Sequence, residues 1–176
     1  MKPHSDSPLL ALAMISSRIP LRAWFATLAL GCFGLLAFSL ALQGMLRLSP
    51  CPLCVFQRLL YMVVGALALG GFLLPAARPL WLATIGATAL LGAGVAAYQT
   101  WMQQFPGLFP ECSFTDPNLI ERLVDWLGMR VPSLFLATGF CSSAEWSFLG
   151  LSMANWSLLI FLGIVAYVAL PLRRAP

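Results

Sequence analysis

Residues 23–46 read AWFATLALGCFGLLAFSLALQGML, a run of 24 residues without an Asp, Glu, Lys or Arg. Roughly 20 apolar residues in a helix cross the ~30 Å hydrocarbon core of a bilayer. Working outward, three more charge-free runs follow: 19 residues between Arg58 and Arg78, 32 between Arg78 and Glu111, and 27 between Glu145 and Arg173. Each is long enough to span. The expected spans are residues 23–45, 55–74, 80–99 and 149–170. The runs are continuously apolar and do not alternate in short segments, so they read as helices and not as strands of a barrel. Composition agrees: 60% of the 176 residues are hydrophobic and 9% are charged. Soluble domains carry about 25% charged residues, so a water-soluble fold is excluded.

The sequence therefore predicts an all-α integral membrane protein, a single four-helix bundle over residues 23–170 between tails 1–22 and 171–176. The first apolar run is about twice the roughly 7–15 residues of a signal-peptide core, so it reads as an anchor and not as a cleaved leader. Leu9–Ile15 is too short to cross. Orientation follows from Lys and Arg. Lys2, Arg18, Arg22, Arg78, Arg173 and Arg174 fall on one side; Arg47, Arg122 and Arg130 fall on the other, with Arg58 just inside a helix. Both termini are thus expected in the cytoplasm, with a tight cytoplasmic turn around Leu74–Pro79.

Two loops then face outward, a short one over about residues 46–54 and a long one over about 100–148. The long loop holds five of the six acidic residues: Glu111, Asp116, Glu121, Asp125 and Glu145. Within it, Leu119, Ile120, Leu123, Val124 and Leu127 recur at helical spacing and predict a short amphipathic helix. Asp116 is read as its cap, Pro117 as its first turn and Gly128 as near its end. This helix can lie flat on the lipid interface or pack on the ends of the spans. Glycines recur in the spans (Gly31, Gly34, Gly70, Gly71, Gly86, Gly92, Gly94) and suggest close helix packing.

The five cysteines carry the candidate chemistry. Cys32 lies ten residues into the first span, near mid-bilayer, where apolar surroundings disfavour its thiolate; it reads as an inert small hydrophobe. Cys51 and Cys54 share the short outer loop, and Cys112 and Cys141 share the long one. Four cysteines allow three pairings. Pairing within each loop is the default reading, and a Cys51–Cys141 cross-link between the loops is also open. Cys51-Pro52-Leu53-Cys54 has the spacing of redox-active dithiols. Arg58 follows Cys54 by four residues, on the same helix face. A helix N-terminus and an arginine together favour a thiolate at Cys54. Arg58 can also be a snorkelling anchor. Zinc uses four thiolates elsewhere, but 28 residues separate Cys112 from Cys141 without a second Cys-x-x-Cys, and His4 lies on the opposite side. No metal site is expected. No phosphate loop, dinucleotide fingerprint or nucleic-acid signature is present.

These residues resemble a known family. Cys51-Pro52-Leu53-Cys54-Val55-Phe56-Gln57-Arg58 is similar to the C-x-L-C-x-x-Q-R signature of the bacterial disulfide bond formation protein B (DsbB) family. Pro132-Ser133-Leu134-Phe135 leading to Gly139-Phe140-Cys141, and Trp146-Ser147-Phe148-Leu149-Gly150, resemble it too. The likeness runs from about Ala23 to Leu170. It implies a bacterial inner-membrane oxidoreductase whose outer loops are periplasmic. It implies ubiquinone or menaquinone as electron acceptor, held near Cys54 and Arg58, and a periplasmic thioredoxin-like (DsbA-type) oxidase as partner. Cys112 would form the mixed disulfide with that partner. Cys141 would then attack Cys51 and free Cys54. Some members carry a histidine near the outer end of the third span as a quinone contact. The matching residue here is Gln99, which donates a hydrogen bond but takes up no proton.

Two other readings fit parts of the pattern. A non-catalytic scaffold with a stapled outer loop explains Cys112 and Cys141 but not a Cys-x-x-Cys with Arg58 on its face. Quinone-linked reductases of the vitamin K epoxide reductase type place their Cys-x-x-Cys near the end of a later span, whereas here it opens the second.

Overall fold

The computed structural model describes residues 20–105, 118–144 and 146–172. Four long helices form a membrane bundle: α1 (Leu21–Leu46), α2 (Pro52–Leu73), α3 (Arg78–Gln104) and α6 (Met153–Leu172). A 3-10 turn at Pro75–Ala77 joins α2 to α3. Two short helices, α4 (Leu119–Arg130) and α5 (Pro132–Phe135), and a two-stranded hairpin, β1 (Ser147–Phe148) and β2 (Leu151–Ser152), lie between α3 and α6.

The helices pack in the order α1, α2, α3, α6. α2 is the most enclosed of the four, with Val55, Val64 and Ala68 fully buried. Leu30, Phe38, Leu90 and Leu159 are instead exposed on the outer surface. An apolar exterior of this extent is stable in lipid and not in water. Close approach between helices depends on glycine at several contacts, two of them the tightest. A Cβ on Gly71 would meet the Phe25 ring at 2.6 Å, and one on Gly92 would meet the Phe161 ring at 2.5 Å. Removing the side chain lets a ring pack directly against backbone. Gly31, Gly34 and Gly94, also expected at packed contacts, face open space.

α1 and α6 meet at the end away from the cysteines. There Thr27 Oγ1 and Tyr167 Oη are 2.6 Å apart, and the Trp24 and Tyr167 rings lie 4.1 Å between centroids. Toward the cysteine end the two helices leave a crevice between them, floored by α2.

Several boundaries differ from those expected. α2 starts at Pro52, not 55, which makes Cys51 its N-cap and puts Cys54 in its first turn. α3 runs five residues past 99 because its polar last turn finds partners. Gln103 accepts from Ser152 Oγ at 2.6 Å, and Thr100 Oγ1 donates to Asn155 Oδ1 at 2.9 Å. α6 starts at Met153, not Leu149. Leu149 (φ 53°) and Gly150 (φ 77°) are the central pair of the hairpin turn, whose strands pair Ser147 with Ser152 and Phe148 with Leu151. Two successive positive φ values match the twist of a tight hairpin. An apolar turn residue such as Leu149 is indistinguishable by hydropathy from the span that follows.

The cap of α4 is Asn118 and not Asp116, which lies outside the described residues. Asn118 Oδ1 accepts from the Glu121 amide at 3.0 Å, and Glu121 Oε2 accepts from the Asn118 amide at 2.7 Å. This reciprocal capping box satisfies two otherwise orphaned donors and lets Glu121 be buried. α4 packs on α2 through its Val124 face, with Ile120 and Leu127 beside it. α4 thus packs against the end of a span, as one of the two expected arrangements has it. Leu119, Leu123, Trp126 and Met129 remain exposed.

Candidate active site

The site begins at the N-terminus of α2. Pro52 occupies the first helical position, where its missing N–H costs nothing. Cys51, in extended conformation, caps the helix: its Sγ accepts from the Cys54 amide at 3.3 Å. The same geometry turns both side chains inward and leaves the two sulfurs 2.8 Å apart, as free thiols. Bond formation needs an approach of under about 1 Å. The hydrogen bond to Cys54 and burial push the Cys51 thiol well above its ordinary pKa. Both effects favour the protonated form of Cys51, whose Sγ lies within hydrogen-bonding distance of Cys54 Sγ.

A second layer comes from α3. Gln99 is 1% exposed, and its Nε2 donates to Cys54 Sγ at 3.0 Å and to Cys51 Sγ at 3.2 Å. Its Oε1 accepts from Gln57 Nε2 at 2.8 Å. Gln57, also buried, lies one turn past Cys54 on α2. Arg58 is buried too, and its Nη1 donates to Gln43 Oε1 on α1 at 2.6 Å. The guanidinium is held inside the bundle by a neutral amide, which leaves its charge uncompensated by any carboxylate among the described residues.

The segment carrying Cys141 docks on the segment carrying Cys51. The amides of Thr138 and Gly139 both donate to the Pro50 carbonyl, at 3.0 and 3.1 Å. Only glycine fits at 139, because a Cβ there would strike the Ser49 carbonyl oxygen. Cys141 is fully buried in the same core as Cys51 and is disulfide-bonded. Its partner is none of Cys32, Cys51 and Cys54, which are free. Cys112 lies outside the described residues. A small cavity of ≈ 50 Å³ separates Cys51, Cys54 and Gln99 from Phe140 and Ser143.

On the other side of Cys54 the crevice between α1 and α6 opens as a cavity of ≈ 420 Å³. Leu35, Phe38, Leu42, Met153, Trp156 and Ile160 form most of its wall, and Cys54, Gln57, Arg58 and Tyr61 form its polar end. Drug-sized and cofactor sites have this character: apolar walls, a few convergent polar groups and a volume of about 300–1,000 Å³. Tyr61 Oη is tied to Ser157 Oγ at 3.0 Å, and the Trp156 indole donates to the Phe148 carbonyl at 3.2 Å, so the hairpin closes one side.

Of the residues singled out in the sequence, Cys51, Cys54, Arg58 and Gln99 thus come together, with Cys141 docked alongside. Gln99, expected as a quinone contact, spends its amide on the sulfurs and on Gln57 and lines the smaller cavity. Cys32 is buried among α1 and α2 side chains away from the pair. Sequence reasoning missed Gln43, the Pro50–Gly139 contact and the role of Gln57. Gln43 and Gln57 were detectable in one respect: an amide inside an apolar span is costly unless it has a partner. Among the described residues no group of three or more His, Cys, Asp or Glu could hold a metal ion.

Comparison with known proteins agrees. The family model described as "Disulfide bond formation protein DsbB" matches residues 21–171. The Disulfide bond formation protein B of Dechloromonas aromatica (strain RCB) is 67% identical over 157 residues, covering 89% of this chain and 95% of the relative. That of Azoarcus sp. (strain BH72) is 42% identical over 163 residues, covering 90% and 94%. That of Nitrosomonas europaea is 39% identical over 150 residues, covering 81% and 87%. The chain belongs to the disulfide bond formation protein DsbB family, and is a multi-pass membrane oxidoreductase of disulfide bond formation.

Proposed function

We propose that this protein reoxidises a periplasmic thioredoxin-like dithiol oxidase of the DsbA type and delivers the electrons to a membrane quinone. One observation carries the reading. A Cys-x-x-Cys pair beside a buried arginine stands between a docked disulfide-bearing loop and an apolar crevice that opens between α1 and α6. Disulfide chemistry has access from one side and a lipid-soluble acceptor from the other.

The residues then act in sequence. Cys112 and Cys141 form the disulfide of the long loop, and a thiolate of the reduced partner attacks Cys112. That bond forms as Cys112–Cys141 breaks, and Cys141 leaves with the electron pair. Cys141 attacks Cys51, the Cys51–Cys54 bond breaks, and the pair moves to Cys54. Each step is thiol–disulfide exchange and needs a thiolate within reach, which the Pro50–Gly139 contact supports for Cys141 and Cys51. Cys54 then holds the electrons at the polar end of the crevice, where Arg58 would bind a quinone oxygen and Trp156 and Phe38 would flank the ring. A bound quinone supplies a two-electron, two-proton acceptor. The partner's second thiolate would then displace Cys112, and the partner would leave as its disulfide. Cys112 would attack Cys141 and free Cys51, and Cys51 and Cys54 would re-form their bond as their two electrons pass to the acceptor. In net terms one partner dithiol becomes a disulfide and one quinone becomes a quinol. We place the protein in the bacterial inner membrane with both termini cytoplasmic, on the Lys and Arg distribution.

The test is trapping with a reduced Cys-x-x-Cys partner whose second cysteine is replaced. Mass mapping should recover the partner on Cys112 and a Cys51–Cys141 bond in the same molecule. Attachment to Cys51 or Cys54 directly would refute this order of attack.

A further inference from the structure

Gln57 and Gln99 are buried amides from two different helices, and both hydrogen-bonding ends of Gln99 are in use. The Gln57 Nε2 donor occupies Gln99 Oε1, so the Gln99 amide can turn only its N–H groups toward the sulfurs. Gln57 stands three residues after Cys54, on the same face of α2. The arrangement is a fixed chain from Gln57 through Gln99 to Cys51 and Cys54.

We propose that Gln57 and Gln99 form a non-titrating amide relay that selectively stabilises the reduced Cys51–Cys54 pair and thereby sets its redox poise. This rests on reading the pair as redox-active. The selectivity is chemical. Reduction breaks the Cys51–Cys54 S–S bond and adds two electrons and one proton. Cys51 keeps the proton as a thiol and Cys54 holds the charge as a thiolate. A thiolate is a strong acceptor and gains a charge-assisted hydrogen bond from Gln99 in a site screened from water. A disulfide sulfur carries no charge and gains little. Gln99 is thus a catalytic residue touching the reacting atoms, and Gln57 a positioning residue acting through it. The relay makes Cys54 a better leaving group when Cys141 attacks Cys51. It also frees Arg58, which lines both cavities, from being the sole stabiliser of the thiolate.

The test needs neither partner nor quinone turnover. The full chain in lipid nanodiscs is equilibrated in dithiothreitol buffers of graded ratio, with dithiothreitol as the named reductant, then alkylated and mapped by mass. Gln99→Leu should shift the Cys51–Cys54 equilibrium about tenfold toward the disulfide, which is about 30 mV. Gln57→Leu should shift it in the same direction by less. The double variant should add nothing to Gln99→Leu, because the relay acts through one donor. The Cys112–Cys141 equilibrium serves as the internal control and should not move. An unchanged Cys51–Cys54 equilibrium in Gln99→Leu would overturn the relay, as would an equal shift in both pairs or additive single shifts. If Gln99→Leu fails to fold, Gln99→Asn, which retracts the donor by one carbon, should show the same direction; no shift there would likewise overturn it. Failure of the functional reading would appear differently, as absence of partner mixed disulfides in the unaltered chain.

Discussion

Gly139→Ala probes how the two outer loops are held together. Position 139 has no room for a Cβ: the nearest atom is the Ser49 carbonyl oxygen, which is backbone and cannot rotate away. The segment from Thr138 to Cys141 must therefore retreat from Pro50. Its two hydrogen bonds to the Pro50 carbonyl, at 3.0 and 3.1 Å, tie the loops together backbone to backbone. Each such bond contributes about 0.5–1.5 kcal/mol net, so undocking costs the encounter of Cys141 with Cys51 about 1–3 kcal/mol. At 1.4 kcal/mol per tenfold, transfer between the loops should slow by about five- to 150-fold. A rapid-quench experiment with reduced partner separates the steps. Formation of the mixed disulfide at Cys112 should proceed at the unaltered rate, and appearance of the Cys51–Cys141 bond should lag. Thr138→Pro removes one of the two donors without adding a Cβ at 139 and should give a smaller lag. A variant of Gly139 that passes electrons between loops at the original rate would refute the reasoning.

Three further expectations can be checked with purified protein in lipid. Cys54→Ser should abolish quinone reduction while leaving partner exchange at Cys112 intact, measured by quinone absorbance and by trapping; persistent quinone turnover would contradict the proposed role of Cys54. Arg58→Ala should raise the quinone KM about ten- to 100-fold, the scale of a lost hydrogen bond to a charged group, and Gln43→Ala should have a smaller effect because it only orients the guanidinium. An unchanged KM would reduce Arg58 to an anchor. Cys32→Ala should leave turnover within about twofold and cost about 1 kcal/mol of stability from the small void left; a large loss of activity would overturn its inert assignment.

What could be read from the chain alone follows from the solvent. Charge is expensive in hydrocarbon at every position of a span, so a one-dimensional gap between charges such as Arg22 to Arg47 reveals a helix. The same rule sorts Cys51, Cys54, Cys112 and Cys141 onto one side, and helical period places Arg58 on the face of Cys54. Span ends are less legible. Leu149 is apolar whether it begins a helix or turns a hairpin, and only its positive φ beside Gly150 separates the two. The cap of α4 is ambiguous in sequence because Asp116 and Asn118 are both good caps. The choice falls to Asn118, whose partner Glu121 stands three residues on and completes the box.

The chain by itself thus determined which segments enter the membrane and which cysteines share a compartment, because transfer free energy is a property of each residue and sums locally. The tertiary structure alone decided that Gln99 faces sulfur, that Gln43 holds Arg58, and that Gly139 brings Cys141 to Pro50. Those contacts join residues 15 to 89 positions apart. Each is directional, so it exists only once helix packing has fixed both distance and angle.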